Sequence, residues 1–171
     1  MRKMCFILLM LTACDPTKPP IEIIPNMDRQ DMIKPQAEPP RLPVEGTISR
    51  GHMPYPYPND PEAAGRNLKN PLPPSSDIVH RGQFLFNAYC LPCHGADGKG
   101  QGPVAQRGFV PPPSLHTDRV QKWPDGRIFH IMTEGQGIMS SYAGQVDPID
   151  RWAIIHYIRT LQKVEKQGSE S

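Results

Sequence analysis

The sequence lacks most of what would give a cysteine pair its commoner meanings. Its 171 residues hold four cysteines, and only Cys90 and Cys93 lie close together. A structural zinc site draws four ligands, usually from two Cys/His pairs, so a single pair leaves it incomplete. A thioredoxin-like C-x-x-C belongs beside a βαβ pattern, and no strand alternation is present. There are no internal repeats, and no apolar run approaches the roughly 20 residues needed to cross a bilayer as a helix. The formal net charge of +2 is far from the basic excess of nucleic-acid binding. What remains is Cys90-Leu91-Pro92-Cys93-His94, which spells C-x-x-C-H, the attachment signature of a c-type haem. Two thiols three positions apart can each add to one haem vinyl group, and His94 follows as an axial ligand to the iron.

The N-terminus reads as a processing signal. Arg2 and Lys3 form a short positive region, and Cys5 to Leu11 is apolar but too short to span a bilayer. Leu11-Thr12-Ala13-Cys14 resembles the lipobox of bacterial lipoproteins. That resemblance implies cleavage after residue 13, lipid on Cys14 and no cysteine left over for a disulfide. Asp15 resembles the retention residue of inner-membrane lipoproteins, so the expected location is the periplasmic face of the inner membrane. Once Arg2 and Lys3 leave, 17 basic side chains balance 17 acidic ones.

Proline sets the next boundary. Of 22 prolines, 15 lie between Pro16 and Pro74, so residues 14–75 read as an extended, irregular arm. A solvated spacer and a segment lying across partner subunits both fit. Ile21, Ile23, Ile24, Met27, Met32 and Ile33 are more apolar than a spacer needs. The folded domain is expected over 76–164, all-α, followed by a polar tail at 165–171. Ser75, Ser76 and Asp77 offer caps for a helix running to about Tyr89, within which Gly82 permits close approach by another helix. A shorter helix fits Pro124 to Glu134 and ends at Gly135. Asp147 and Pro148 start a final helix with apolar spacing through about Val164, expected to cross the first at Gly82.

A haem held by His94 also needs a distal ligand. Met139 is the best candidate, because it lies in a Gly-rich loop before the final helix and its soft thioether favours reduced iron. Met132 falls at helical spacing with Ile128 and reads as core. His80, His130 and His156 lie in expected helices and read as surface or structural groups, while His116 follows a proline run and can approach the haem. An axial histidine usually donates its second ring N–H to a backbone carbonyl, here expected from Pro112 or Pro113.

These residues resemble class I cytochromes c. The likeness covers about Ser76 to Val164: Gly82 and Phe86 before the C-x-x-C-H, Met139 in its loop, and Trp152 and Tyr157 on the last helix. It implies a small helical bundle around one covalent haem c with His94 and Met139 as axial ligands. Cys14, the Pro-rich arm and Pro43-Val44-Glu45-Gly46-Thr47-Ile48-Ser49-Arg50-Gly51 are similar to the mono-haem cytochrome subunit of alternative complex III, a quinol:electron-acceptor oxidoreductase. That resemblance implies multihaem and iron–sulfur subunits as partners, a soluble cytochrome or terminal oxidase as acceptor, and an arm packed along its neighbours. The expected function is one-electron transfer with no catalytic residues of the chain's own. A stand-alone tethered carrier and a haem enzyme or gas sensor with an open distal site are the alternatives. If Cys14 carries the anchor, Cys14→Ser shifts the protein from the membrane pellet to the soluble fraction. Retention in the pellet means that partner subunits hold it there.

Overall fold

The computed structural model describes residues 32, 33, 36, 39, 41–48, 50, 51 and 53–169. The expectations placed on the signal peptide, Cys14 and Asp15 lie outside these residues. The chain divides into one unit over 1–52 and another over 53–171. In the first, the amide and hydroxyl of Thr47 both donate to the carbonyl of Val44, at 3.1 and 2.6 Å. Gly46 supplies the positive φ of 81° that this turn requires.

The second unit begins with helix α1, Pro61–Asn67. Asp60 caps it by accepting from the Ala63 amide at 2.9 Å, and Pro61 occupies the first turn, where its missing N–H costs nothing. Helix α2, Ser76–Leu85, is capped by the Ser75 hydroxyl and carries Asp77 in its first turn. It runs into a π-helical turn, Phe86–Cys90, and then a short helix α3, Leu91–His94. Two more single turns follow, α4 at Pro103–Gln106 and α5 at Asp118–Gln121. Helix α6 is Asp125–Glu134, and the long α7, Pro148–Ser169, ends the chain's described part. Among the described residues there is no strand, only an isolated antiparallel bridge between Gln136 and Met139.

The crossing of α2 and α7 organises the core. A Cβ on Gly82 would lie 2.1 Å from the Ala153 carbonyl oxygen, so the two backbones meet there without an intervening side chain. Around that contact Phe86, Ile154 and Ile155 are wholly buried. Phe86 meets Tyr157 edge-on at 5.2 Å, and Phe129 of α6 stacks on Trp152 at 4.3 Å. On the outside Arg81 holds Asp150 with two hydrogen bonds of 2.9 and 2.8 Å. The pair is largely solvent-exposed and contributes little to stability.

The boundary expected at Ser76 lies inside this unit, which starts at Met53. The intervening residues are not free chain. Helix α1 packs on α6 through glycines: a Cβ on Gly126 would sit 2.3 Å from the Ala64 carbonyl, and one on Gly65 2.9 Å from Pro124. The Asn70 side chain donates to the Trp152 carbonyl at 3.1 Å, and His156 Nε2 donates to the Leu72 carbonyl at 3.0 Å. Tyr55 lies against Phe129 and His130, its hydroxyl 3.0 Å from His130 Nδ1. His130 is therefore a buried structural group. Burial holds its imidazole below the usual range and pushes Tyr55 up to about 12, so a neutral phenol donates to a neutral ring.

Gly82→Ala tests the crossing. Because the overlap is with backbone, forced separation of the two helices falls at the upper end of the usual range, about 3 kcal/mol, against a gain of about 1 kcal/mol in helix propensity. A net loss of about 2 kcal/mol is expected in denaturant unfolding of the holoprotein. An unchanged midpoint overturns the close contact.

Candidate functional site

The C-x-x-C-H turn owes its shape to Pro92. Proline has no amide proton, so the α-helical ladder arriving from α2 cannot continue through position 92. The chain loosens to π spacing just before it, with the Leu91 amide bonding to the Phe86 carbonyl, then restarts as α3 with Pro92 in its first turn. Cys90 ends the π turn, while Cys93 and His94 lie one helical turn further on. Both thiols are free, and among the described residues no group of three His, Cys, Asp or Glu side chains is placed to hold a metal ion.

Glycines then fold the chain back over this turn. The Gly100 amide donates to the His94 carbonyl at 2.7 Å and the Gly102 amide to the Cys93 carbonyl at 3.2 Å. Gly102 is buried, and a Cβ there would fall 2.4 Å from the Pro92 oxygen and 2.6 Å from that of Leu91. The loop is pinned from outside by residues 114–116. The Leu115 amide donates to the Gly98 carbonyl at 2.9 Å, and His116 Nε2 donates to the Asp97 carbonyl at 2.6 Å. His116 thus shapes the loop that carries His94's partner. Sequence reasoning missed this role, and the spacing of Gly95, Gly98, Gly100 and Gly102 was the available signal.

The proline carbonyl expected to accept from His94 is not bonded to it. The Pro112 oxygen would lie 2.2 Å from a Cβ on Gly100, which places it beside the loop that binds the His94 carbonyl. His94 Nδ1 itself is buried and has no hydrogen-bond partner. Neither Pro112 nor Pro113 accepts a hydrogen bond from it here.

The distal candidate comes from the loop after α6. Gly135, at φ +84°, ends that helix, and Gln136 and Met139 exchange backbone hydrogen bonds of 2.9 and 3.0 Å. Met139 is half-buried against the same core that packs Cys90, whereas Met132 is fully buried within it. The loop then returns across the site: the Tyr142 ring meets Tyr89, the neighbour of Cys90, edge-on at 6.5 Å. The Tyr142 phenol is raised above its ordinary range by burial first, then by the nearby thiols of Cys90 and Cys93. His80 and Arg107 are exposed.

These side chains suit a covalently held haem. Burial, and then the neighbouring Cys93, push the Cys90 thiol up to about 12, so it stays protonated. Burial also holds His94 below the usual imidazole range, leaving the ring neutral, as an iron ligand must be. Cys90 and Cys93 would hold the porphyrin, His94 would bind the iron from one side, and Met139 is the thioether available for the other.

A helical bundle built round a C-x-x-C-H turn, with a methionine loop on the same core, defines a cytochrome c domain, which binds haem c covalently and transfers electrons through it. Residues 77–158, just under half of the chain, match the family model described as Cytochrome C oxidase, cbb3-type, subunit III, and the match includes Cys90, Cys93, His94 and Met139. A chain of the Kuenenia stuttgartiensis reducing HAO-like protein complex is 24% identical over 55% of this chain, with a TM-score of 0.46. This chain spans 49% of that chain's length. No curated protein matches.

Met139→Ala addresses the distal ligand. The oxidised holoprotein is expected to show the weak near-infrared-edge band of Met–Fe(III) and the variant to lose it, together with a lower reduction potential as the soft ligand is removed. A band that survives the substitution assigns the sixth position elsewhere.

Proposed function

We propose that this protein is a one-electron carrier rather than an enzyme, with His94 and Met139 as permanent ligands to a single haem iron. The observation that supports this most directly is the half-buried Met139, presented from a hydrogen-bonded loop on the core that packs Cys90. Bound haem supplies a reversible one-electron couple. The chain would supply the rest: Cys90 and Cys93 would hold the porphyrin, His94 would ligate the iron, and Met139 would provide the second ligand. With both sides closed, no position is left for a substrate, which sets this reading against an open-site enzyme or gas sensor.

The finer proposal is that the protein serves as the lipid-anchored mono-haem subunit of alternative complex III. Its anchor would be Cys14, on the periplasmic face of the inner membrane, and its arm would lie along multihaem and iron–sulfur partners. Two observations favour this over a stand-alone carrier. The Pro43–Gly51 stretch has the resemblance described above, and Leu42, Val44 and Ile48 around the Thr47 turn are exposed, where a plain spacer has no use for them. Among the described residues no helix is long and apolar enough to cross a membrane.

Purification in mild detergent separates the two. The complex reading expects the cytochrome to elute with multihaem and iron–sulfur subunits in fixed ratio, identified by mass spectrometry. A lone cytochrome at its monomer size sinks the complex reading and leaves the carrier reading in place.

A further inference from the structure

Met139 sits in a solvent-facing stretch. Ile138, Ser140, Ser141 and Ala143 are exposed, and Gly137 has open space where a side chain would be. Segments with few buried contacts open locally unless hydrogen bonds restrain them. On the near side the restraint is the Gln136–Met139 bridge, with the Gly135 amide donating to the Ile131 carbonyl at 2.8 Å. On the far side the Tyr142 amide donates to the Met132 carbonyl at 2.9 Å. Between them lies a side-chain bond. Ser141 Oγ donates to the Thr133 carbonyl at 2.6 Å and accepts from the Ala143 amide at 3.2 Å.

The acceptor of that bond is held firmly. Thr133 is 5% exposed, and its own hydroxyl donates to the Phe129 carbonyl at 2.7 Å. The same hydroxyl accepts from Arg151 of α7, whose buried guanidinium also lies over the Phe129 ring. The Thr133 carbonyl belongs to the last turn of α6, where carbonyls have no partner further along the helix. Ser141 therefore satisfies a helix-end carbonyl that the core has locked in place, two residues beyond Met139.

We infer that Ser141 is a positioning residue for the distal ligand: its bond to the Thr133 carbonyl ties the Met139 loop to the end of α6 and keeps the thioether facing the iron. This inference rests on Met139 being that ligand. Ser140 is the internal control, because it has the same hydroxyl one position earlier, whereas the bonds to Thr133 and from Ala143 belong to Ser141.

The test uses the oxidised full-length holoprotein, titrated with imidazole while the Met–Fe(III) band is followed. Losing one net hydrogen bond shifts an opening equilibrium about fivefold. Ser141→Ala is therefore expected to let imidazole displace Met139 at about fivefold lower concentration. Ser140→Ala is expected to match the parent, and Ser141→Thr to restore it. The midpoint for loss of helical signal in denaturant is expected to stay near the parent's, since the opening is local. Imidazole affinity unchanged in Ser141→Ala overturns the positioning role, as does an equal shift in Ser140→Ala. If the band persists in Met139→Ala, the distal assignment fails and this role fails with it. If the band is lost there while Ser141→Ala binds imidazole like the parent, only the positioning role fails.

Discussion

Gly82 lies against the Ala153 carbonyl at a distance that no side chain would allow. Backbone contact at that point lets α2 and α7 cross closely enough for Phe86, Ile154 and Ile155 to lose all contact with water. Each such side chain contributes about 1.5–3 kcal/mol when fully buried, a large fraction of a small domain's net stability. The Arg81–Asp150 pair spans the same crossing but is exposed, and so contributes far less. The haem turn leaves α2 directly, and the distal loop leads directly into α7. Both sides of the site thus inherit their positions from this one crossing.

Two departures from regular helix then turn the frame into a site. On the proximal side Pro92 interrupts the ladder, and the resulting π turn delivers Cys90 ahead of Cys93 and His94. Glycines without side chains let the following loop pass within hydrogen-bond reach of the turn's own carbonyls. On the distal side Gly135 stops α6, and the chain doubles back through Met139 while Tyr142 returns to the core. Both loops are closed by hydrogen bonds, from backbone amides and from the side chains of His116 and Ser141, which suits positions meant to present a ligand.

Much of this was legible from local pattern. Helix α2 as far as Leu85, the start of α7, the α6 segment, the close approach at Gly82 and the placing of Met132 in the core all follow from spacing, caps and breakers, which act over a few residues; the π turn at Phe86–Cys90 and the run of α7 to Ser169, through the expected polar tail, do not. The start of the unit at Met53 was not read. A high proline count suppressed any helix before Ser76, although Asp60 and Pro61 form a cap and first turn of the usual kind. The contacts that draw 53–75 onto α6 and α7 join residues far apart in the chain: Tyr55 with His130, Ala64 with Gly126, Leu72 with His156. No local periodicity encodes such pairings. For the same reason the bond from the His116 ring to the Asp97 carbonyl has no local signal in the sequence.

The covalent chemistry is a property of the sequence alone. Two thiols and an imidazole at C-x-x-C-H spacing are adjacent in any fold, so Cys90, Cys93 and His94 name their cofactor without tertiary help. Tertiary structure decided what surrounds them: a half-buried, neutral His94, a half-buried Cys90 thiol, and a methionine loop tied by Ser141 to a carbonyl locked by Arg151 and Thr133. Each of these depends on desolvation, or on hydrogen bonds between residues that only the folded chain brings together.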